Sequence, residues 1–423
     1  MNKTIIIITI AILLASVTLA GVIFLPYNPR SPPRANDTNS SQSGVAQVVK
    51  GNNRFAINLY KEISKEDTDN ILFSPYSVSS AMAIVYEGAG GKTAEEIKDV
   101  FGFPSYDILR PNFARVYNDF NNRKNCTLRT GNALWINENF KINKNFESIA
   151  SEYYGGKAAT LDFSKPDHAR EIINKFIAEQ TNYKINELIP EGVLSGEVEL
   201  VITNAVYFNG TWENKFDSGE TLNRSFWISE NKSIKVPTMH KYNMPVSLSE
   251  ASDVELVRLK YRGNFSFVIL LPKNSSLEDV ERKLSYEWVK NLEDEESEQN
   301  VDLFMPKFKF RRKEEYLEDE LRKLGIKKAF SPFESNLSNM YDHEYYRKKR
   351  LYISQVIHEA YIDVSESGTE AAAATAVIIK ATASAVPPKI KVVKVDHPFI
   401  FFIQDDKTGE ILFMGRVTNP KSE

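Results

Sequence analysis

The order of hydrophobic patterns along the chain limits its fold more than any other feature. Helical spacing, with apolar residues three and four apart, occurs in residues 53–63, 77–87, 93–100 and 167–181. Runs rich in Val, Ile, Phe and Tyr follow at residues 199–207, 265–271, 301–310, 351–364 and 399–404. Because the strands come after the helices and do not alternate with them, the pattern predicts an α+β fold with large mixed sheets.

The first 50 residues differ in composition from the rest. Residues 4–25 form an apolar run interrupted only by Thr and Ser. Its length fits a signal peptide and also a helix crossing a bilayer of roughly 30 Å, so residues 1–26 are predicted to be one or the other. Residues 27–50, rich in Pro, Ser and Asn, predict a flexible linker, followed by a single domain at 51–423. We therefore expect an extracytoplasmic protein, secreted or anchored to a membrane through residues 4–25.

Composition argues against several classes of protein. Cys126 is the only cysteine, so the chain cannot form an internal disulfide. The five histidines are scattered, and none has the spacing of a metal site. A net charge of −3 leaves no basic excess to neutralise phosphates. We expect a monomer with no metal, no cofactor and no nucleic-acid partner.

Two short patterns imitate catalytic motifs. The run from Gly88 to Thr93 resembles a phosphate-binding loop, but Tyr86 stands where that loop requires a glycine. No Gly-x-Ser-x-Gly sequence is present to expose a nucleophilic serine. His358 lies within an apolar strand-like run, where a buried histidine with a structural role is the commoner finding. We expect that the chain is not an enzyme.

The segment at residues 366–388 is the most unusual part of the sequence. Its alanines favour a helix on propensity alone, yet it lies between two strand-like runs and becomes β-branched at Val377. With strand alternation, one face would carry the uncharged residues Thr369, Ala371, Ala373, Thr375, Val377 and Ile379. The other face would carry Glu370, Ala372, Ala374, Ala376, Ile378 and Lys380. The segment is therefore suited both to an exposed loop and to a central strand.

Several long motifs, in order, resemble those of one family. The sequence GTEAAAAT at residues 368–375 resembles the hinge of inhibitory serpins. Residues 70–97, 203–216, 351–364 and 396–420 are similar to other serpin motifs. The resemblance covers about residues 52–420 and implies the serpin fold, with a helical N-terminal part, large mixed sheets and an exposed loop at residues 366–388, here called the reactive loop.

The resemblance implies a suicide-substrate inhibitor that forms a covalent complex with a target serine protease. The hinge would comprise Glu366, Gly368, Thr369, Glu370, Ala371, Ala372, Ala373, Ala374 and Thr375. The reactive bond would follow sixteen residues after Glu366, between Thr382 and Ala383. That bond suits an elastase-like or subtilisin-like protease. A register two residues shorter would place Lys380 at the bond and indicate a trypsin-like target.

The resemblance also assigns mechanical roles. Ser74, Ser77, Asn204 and His358 match the family's shutter, the buried network where the central sheet parts. Trp212 matches the tryptophan of the breach, at the top of the sheet where insertion begins. The alternative function that the sequence leaves open is a non-inhibitory serpin acting as a carrier or chaperone.

Overall fold

The computed structural model describes residues 34–123, 125–314, 317–342, 350–369 and 390–421. The predicted signal peptide or anchor at 1–26 lies outside the described residues, as does most of the reactive loop, from Glu370 to residue 388. Within the described ranges, no helix combines the length and the apolar character that a bilayer crossing requires.

The described residues contain nine α-helices, most of them in the first part of the chain. They are α1 Gln42–Ser64, α2 Pro75–Gly88, α3 Gly91–Phe101, α4 Tyr106–Asn121, α5 Lys144–Tyr154, α6 Pro166–Gln180, α7 Leu277–Lys283, α8 Tyr286–Asp294 and α9 Leu317–Leu324. Helix α1 begins after Ser41, whose Oγ accepts a hydrogen bond from the Gly44 amide. Helix α2 begins in the same way after Ser74 and has Pro75 in its first turn, where a missing N–H has no cost.

Sixteen strands are present in the described residues. They are β1 Ile71–Phe73, β2 Cys126–Thr130, β3 Ala133–Asn137, β4 Lys157–Leu161, β5 Leu200–Thr211, β6 Leu222–Ser229, β7 Lys232–Glu250, β8 Val254–Tyr261, β9 Phe265–Pro272, β10 Ser297–Pro306, β11 Phe308–Glu314, β12 Gln355–Ser365, β13 Gly368–Thr369, β14 Lys391–Lys394, β15 Phe399–Asp405 and β16 Ile411–Val417. The predicted strand runs at 199–207 and 351–364 correspond to β5 and β12.

The strands form two sheets. One has the order β1-β16-β15-β9-β8-β7-β10-β14, with β6 paired to β7. The other, here called the central sheet, has the order β11-β12-β13-β5-β3-β4, with β2 paired to β5. The central sheet mixes orientations, since β12 runs parallel to β5 and antiparallel to β11. The prediction of an α+β fold with large mixed sheets is confirmed.

Both faces of the central sheet are buried, which explains the continuous apolar runs of β5 and β12. On one face, Ile202 and Val356 join the large core that also contains α2 and the other sheet. On the opposite face, Val201 and Ile357 pack with apolar residues of α6, including Ile173. A strand entering beside residues 356–362 of β12 would therefore be covered on both sides, whereas Asn209 and Asp363 above them are only partly buried.

The predicted flexible linker is wrong for residues 34–50. Helix α1 begins at Gln42, so residues 42–50 belong to the folded domain. The stretch before it is docked on α4 and α5. The Ala35 amide donates to Asn118 Oδ1, Asn118 Nδ2 donates to the Ala35 carbonyl, and the Asn36 amide donates to the Glu152 carbonyl. Although this stretch has the composition of a linker, its backbone forms specific hydrogen bonds with α4 and α5.

Candidate functional site: the seam of the central sheet

The contact between β5 and β12, here called the seam, is only partly closed. From Val201 to Val206, β5 pairs in parallel with residues 355–360 of β12. Above this stretch β13 lies between the two strands. Gly368 pairs with Thr211 and Ser365, and Thr369 pairs with Gly210 and Val364. The first residues of the hinge therefore already occupy the top of the seam as a short strand.

Gly368 can occupy this place only because it lacks a side chain. Its φ of 141° is outside the range that other residues readily adopt. A Cβ atom at this position would lie 2.0 Å from the Gly210 carbonyl oxygen and 2.8 Å from the Thr211 Cα atom. Both are backbone atoms of β5, so they cannot move aside as a flexible side chain could.

Thr369 is held on the buried face of the sheet. Only 1% of its surface is exposed, and its Oγ1 shares a hydrogen bond of 2.5 Å with the Tyr261 hydroxyl. The Tyr261 ring stacks on Trp212, with ring centroids 4.2 Å apart and an angle of 7° between the planes. Trp212 in turn donates from Nε1 to the Ser365 carbonyl at 2.8 Å. The breach thus combines Trp212 with the two strand ends that flank the hinge.

Glu366 is fixed just before the inserted residues. Lys307 Nζ lies 2.8 Å from Oε2 of Glu366 and donates to Oε1 at 3.0 Å. The Thr221 hydroxyl also donates to Oε1, at 2.8 Å. Partial burial opposes ionisation, but the hydrogen bonds from Lys307 and Thr221 hold the pKa of Glu366 below its ordinary value. A charged Glu366 therefore ties the base of the reactive loop to the body of the protein.

The shutter lies lower on the same seam, and the structure brings its four predicted residues together. The Ser74 amide donates to His358 Nε2 at 3.0 Å, and Ser74 Oγ donates to the Leu412 carbonyl at 2.6 Å. The Ser77 amide donates to Ser74 Oγ at 3.3 Å. All these groups are buried. From Asn204 to Trp212 the distance along β5 is about 26 Å, so shutter and breach are separate sites on one strand pair.

Asn132 is a member of the shutter that the sequence analysis missed. Its Oδ1 accepts hydrogen bonds from Ser77 Oγ at 2.6 Å and from Asn204 Nδ2 at 3.2 Å. The residue lies in the break between β2 and β3, where the Gly131 amide bonds to the Ala205 carbonyl. The Gly-Asn pair directly before the apolar run at residues 133–136 was the available signal, because such pairs mark a turn or a break between strands.

Two shutter atoms have no hydrogen-bond partner among the described residues: His358 Nδ1 and Asn204 Oδ1. Burial lowers the pKa of His358 to about 3, so the imidazole is neutral. Because Nε2 accepts from Ser74, the ring proton is on Nδ1, which is a donor. Asn204 Nδ2 donates to Ser77 O and Asn132 Oδ1, which leaves Oδ1 as an acceptor. Since His358 and Asn204 are register partners, an unused donor and an unused acceptor lie on the two sides of the seam.

Other predicted site residues lie outside the described residues. These are the hinge residues Glu370, Ala371, Ala372, Ala373, Ala374 and Thr375, and Lys380, Thr382 and Ala383 around the reactive bond. Their positions therefore stay predictions. The sequence analysis did not identify three residues that contact the hinge. Lys307 and Thr221 contact Glu366, and Tyr261 contacts Thr369; all three are distant from the hinge in sequence.

Comparison with known proteins identifies the family. The model of the family described as serpin (serine protease inhibitor) matches residues 50–420. The chain belongs to the serpin family. A serpin-like protein of Methanosarcina mazei is 37% identical, covering 92% of this chain and 91% of that protein. Antithrombin-III of Mus musculus is 32% identical, covering 94% of this chain and 89% of that protein.

Solved serpin structures have the same fold. A serpin of the insect Tenebrio molitor, described as highly specific, superposes with a TM-score of 0.78 at 32% identity, covering 89% of this chain and 98% of that one. Human thyroxine-binding globulin gives a TM-score of 0.80 at 28% identity, covering 90% and 100%. The predicted serpin resemblance and fold are confirmed. Serpins are normally inhibitors and not enzymes, in agreement with the expectation that this chain is not an enzyme.

Proposed function

We propose that this serpin is a suicide-substrate inhibitor of a serine protease. The protease serine attacks the Thr382 carbonyl carbon, the peptide bond to Ala383 breaks, and the amine of Ala383 leaves with the proton that the serine gave up. The product is an ester between the protease and Thr382. Insertion of residues 370–382 into the seam then displaces the protease before water hydrolyses the ester.

The observation that carries this proposal is the position of the hinge. Gly368 and Thr369 are already paired with β5 and β12, so insertion extends an existing strand and requires no new nucleus. Below them the direct pairing of β5 with β12 covers six positions. An inserted strand of about 14 residues would replace that single ladder by two longer ones, each with its own backbone hydrogen bonds.

The length of the inserted strand explains the loss of protease activity. About 14 residues at roughly 3.3 Å each carry the ester on the order of 45 Å from the top of the seam. A serine protease deacylates only while its catalytic groups and the ester stay aligned, and small displacements already slow such reactions strongly. Pulling the protease against the opposite end of the serpin would distort that alignment.

The residues around the proposed bond favour a protease with a shallow specificity pocket. Thr382 is small, and neither an aromatic residue nor arginine is near it in the sequence. An elastase-like or subtilisin-like target therefore fits best, with a trypsin-like target as the alternative if Lys380 precedes the bond. We also propose that the protein acts outside the cytoplasm, secreted or held by residues 4–25.

The alternative function, a carrier or chaperone, shares the same fold, as the likeness to thyroxine-binding globulin illustrates. The inward face of the hinge favours inhibition. It carries neither a charge nor a proline from Thr369 to Ile379, and either would hinder entry into a sheet with two buried faces.

The test is incubation with elastase, subtilisin and trypsin in separate reactions, followed by denaturing electrophoresis. We expect a denaturant-resistant complex with one of the first two and a released peptide that begins at Ala383. The matched control is Thr369→Arg, which places a charge beside Tyr261 and should give a cleaved protein without the complex. Cleavage of the unaltered protein by all three proteases without any complex would refute inhibition of these classes.

A further inference from the structure

We propose that His397, as an imidazolium, fastens the segment behind β14 to the end of β9 and releases it when a rise in pH removes a ring proton. The contacts of His397 with Asp396 and Pro272 are here called the clasp. The segment is residues 395–397, between β14 and β15. The inference goes beyond the proposed function, and the clasp does not depend on the trapping of a protease.

Both ring nitrogens of His397 face atoms that can only accept a hydrogen bond. Nδ1 lies 3.0 Å from the carboxylate oxygen Oδ1 of Asp396, and Nε2 lies 2.9 Å from the Pro272 carbonyl oxygen at the end of β9. A neutral imidazole has one N–H group and can satisfy only one of these contacts, whereas an imidazolium has two. The geometry therefore fits the protonated ring, and loss of one proton would leave a lone pair facing an oxygen.

The surroundings of His397 favour the same protonation state. Partial burial opposes the charge, but the hydrogen bonds to Asp396 and Pro272 and the charge of Asp396 outweigh it and raise the pKa of His397 above its ordinary value. The Glu255 carboxylate of β8 acts in the same direction. The contacts that close the clasp therefore also help His397 to keep its proton.

The charges beside the clasp balance only when His397 is protonated. In the described part of the chain, the charged groups that face His397, or that pair with those groups, are three carboxylates and two ammonium groups: Asp396, Glu250 of β7, Glu255 of β8, Lys273 after β9 and Lys391 of β14. Lys391 contacts both glutamates, so the first residue of β14 belongs to the same network. A protonated His397 makes this cluster neutral, whereas a neutral His397 leaves one negative charge in excess.

The clasp lies behind a short strand that follows the reactive loop. β14, Lys391–Lys394, has four residues and pairs only with β10 among the described strands. Two backbone hydrogen bonds hold the segment behind it: the Val395 amide donates to the Phe304 carbonyl of β10, and the Trp227 amide of β6 donates to the Asp396 carbonyl. Because so short a ladder has few hydrogen bonds, the contacts behind it strongly affect how firmly the strand is held. Opening of the clasp should therefore loosen the C-terminal base of the reactive loop.

The first experiment measures the protonation of His397 by NMR in protein labelled with ¹⁵N-histidine, from pH 5 to pH 9.5. His397→Gln assigns the signal. We expect a titration midpoint above about 6.5, the ordinary value for histidine, and a lower midpoint in Asp396→Asn. His168, exposed on α6, is the control in the same spectra, because Asp396→Asn should not change its midpoint. A His397 midpoint at or below 6.5, or one that Asp396→Asn does not lower, would overturn the inference.

The second experiment measures how firmly the segment is held. Amide hydrogen exchange of Trp227 and Val395 is compared at pH 6 and pH 9, after correction for the intrinsic exchange rates. Because deprotonation removes one hydrogen bond of the clasp, protection should be about 2-fold to 12-fold lower at pH 9. In His397→Arg, whose side chain stays charged and can donate to both acceptors, protection should be equal at the two pH values.

The control for this comparison is the amide of Phe401, which lies in the middle of β15 and is paired on both sides. Its protection should not change, which separates local opening from a loss of global stability. Equal protection of Trp227 and Val395 at both pH values would contradict the inference, as would an equal loss in His397→Arg. Both experiments are carried out without a protease, so their outcome is independent of whether the protein forms a covalent complex.

Discussion

The top and the middle of the seam differ in how complete they are. At the top, Gly368 and Thr369 are paired with both strands, and the Thr369 hydroxyl has its partner in Tyr261. In the middle, β5 and β12 still pair with each other, and His358 and Asn204 each keep one polar atom without a partner in the described part of the chain. The difference shows that strand pairing with the hinge is complete at the top of the seam, and that β5 and β12 would have to separate in the middle for the proposed insertion.

The largest effect is expected at the top. Gly368→Ala places a methyl group against the backbone of β5, at a φ that alanine avoids. Overpacking of this kind costs about 1–3 kcal/mol, which corresponds to a loss of the docked hinge of about 5-fold to 150-fold. We expect a strongly increased stoichiometry of inhibition, measured by titrating the protease with the serpin.

Gly192→Ala is the matched control for this variant. Gly192 also has a positive φ, 83°, but no atom of the described residues lies within 4 Å of the place that an added methyl group would take, so only conformational strain is introduced. It should leave the stoichiometry unchanged. If Gly368→Ala inhibits as well as Gly192→Ala does, the docked hinge has no role in insertion. The structural difference between the top and the middle of the seam would then have no effect on inhibition.

The second prediction concerns the middle of the seam. Asn132→Ala removes the acceptor used by Ser77 Oγ and by Asn204 Nδ2. The buried Ser77 hydroxyl then lacks its acceptor, and Asn204 Nδ2 keeps only its hydrogen bond to the Ser77 carbonyl, so the free energy of unfolding of the intact protein should fall by about 2–4 kcal/mol. Guanidinium unfolding measures it, with the exposed Asn139→Ala as the control. A loss below about 0.5 kcal/mol, the low end for one hydrogen bond, would show that the shutter does not hold the seam closed.

Of the residues in these two predictions, the sequence analysis identified Gly368 and missed Asn132. Gly368 was found because the reactive loop is a continuous motif, and β5 and β12 were found because strands with two buried faces are continuously apolar. Asn132 and Lys307 were missed because their importance depends on strand pairing between residues far apart in the chain. Residues 42–50 were assigned to a linker because Ser and Asn dominate the composition before them, although Val45, Val48 and Val49 have helical spacing.

The third prediction uses pH to probe the middle of the seam. The folded protein keeps His358 neutral down to a pKa of about 3, whereas an unfolded histidine binds a proton near pH 6.5. Between these values the unfolded state binds more protons, so stability falls as the pH is lowered from 6.5 towards 3. From pH 7.5 to pH 5 this histidine alone should lower the free energy of unfolding by about 2 kcal/mol.

The contribution of His358 is isolated by comparison with His358→Asn across the same pH range in urea. Burial raises the pKa of Glu318 to about 7, which gives the opposite slope between about pH 4.5 and 7, but that contribution is common to both proteins. His168→Asn, at an exposed site, serves as the control. Parallel pH profiles for the unaltered protein and His358→Asn would mean that the shutter histidine is not kept neutral by burial.

The smallest effect is expected for the ion pair at the base of the hinge. Lys307→Met removes the cation that contacts Glu366 and keeps the length of the side chain. Because both groups are partly solvated, the change in the free energy of unfolding at pH 7 should be about 1 kcal/mol or less. The folded pKa of Glu366 is lowered, so the pair stabilises the protein above the unfolded pKa, and this contribution is lost as the pH falls through the folded pKa.

The control for this pair is Lys309→Met, which removes a more exposed lysine 3.9 Å from Asp363 on the neighbouring strand. The difference between the two variants should be clear at pH 7 and vanish once Glu366 is protonated. If the base of the hinge is held mainly by this pair, Lys307→Met should also change the rate of complex formation with the protease. If the rate is unchanged while Gly368→Ala abolishes inhibition, the top of the seam is held by strand pairing and not by charge.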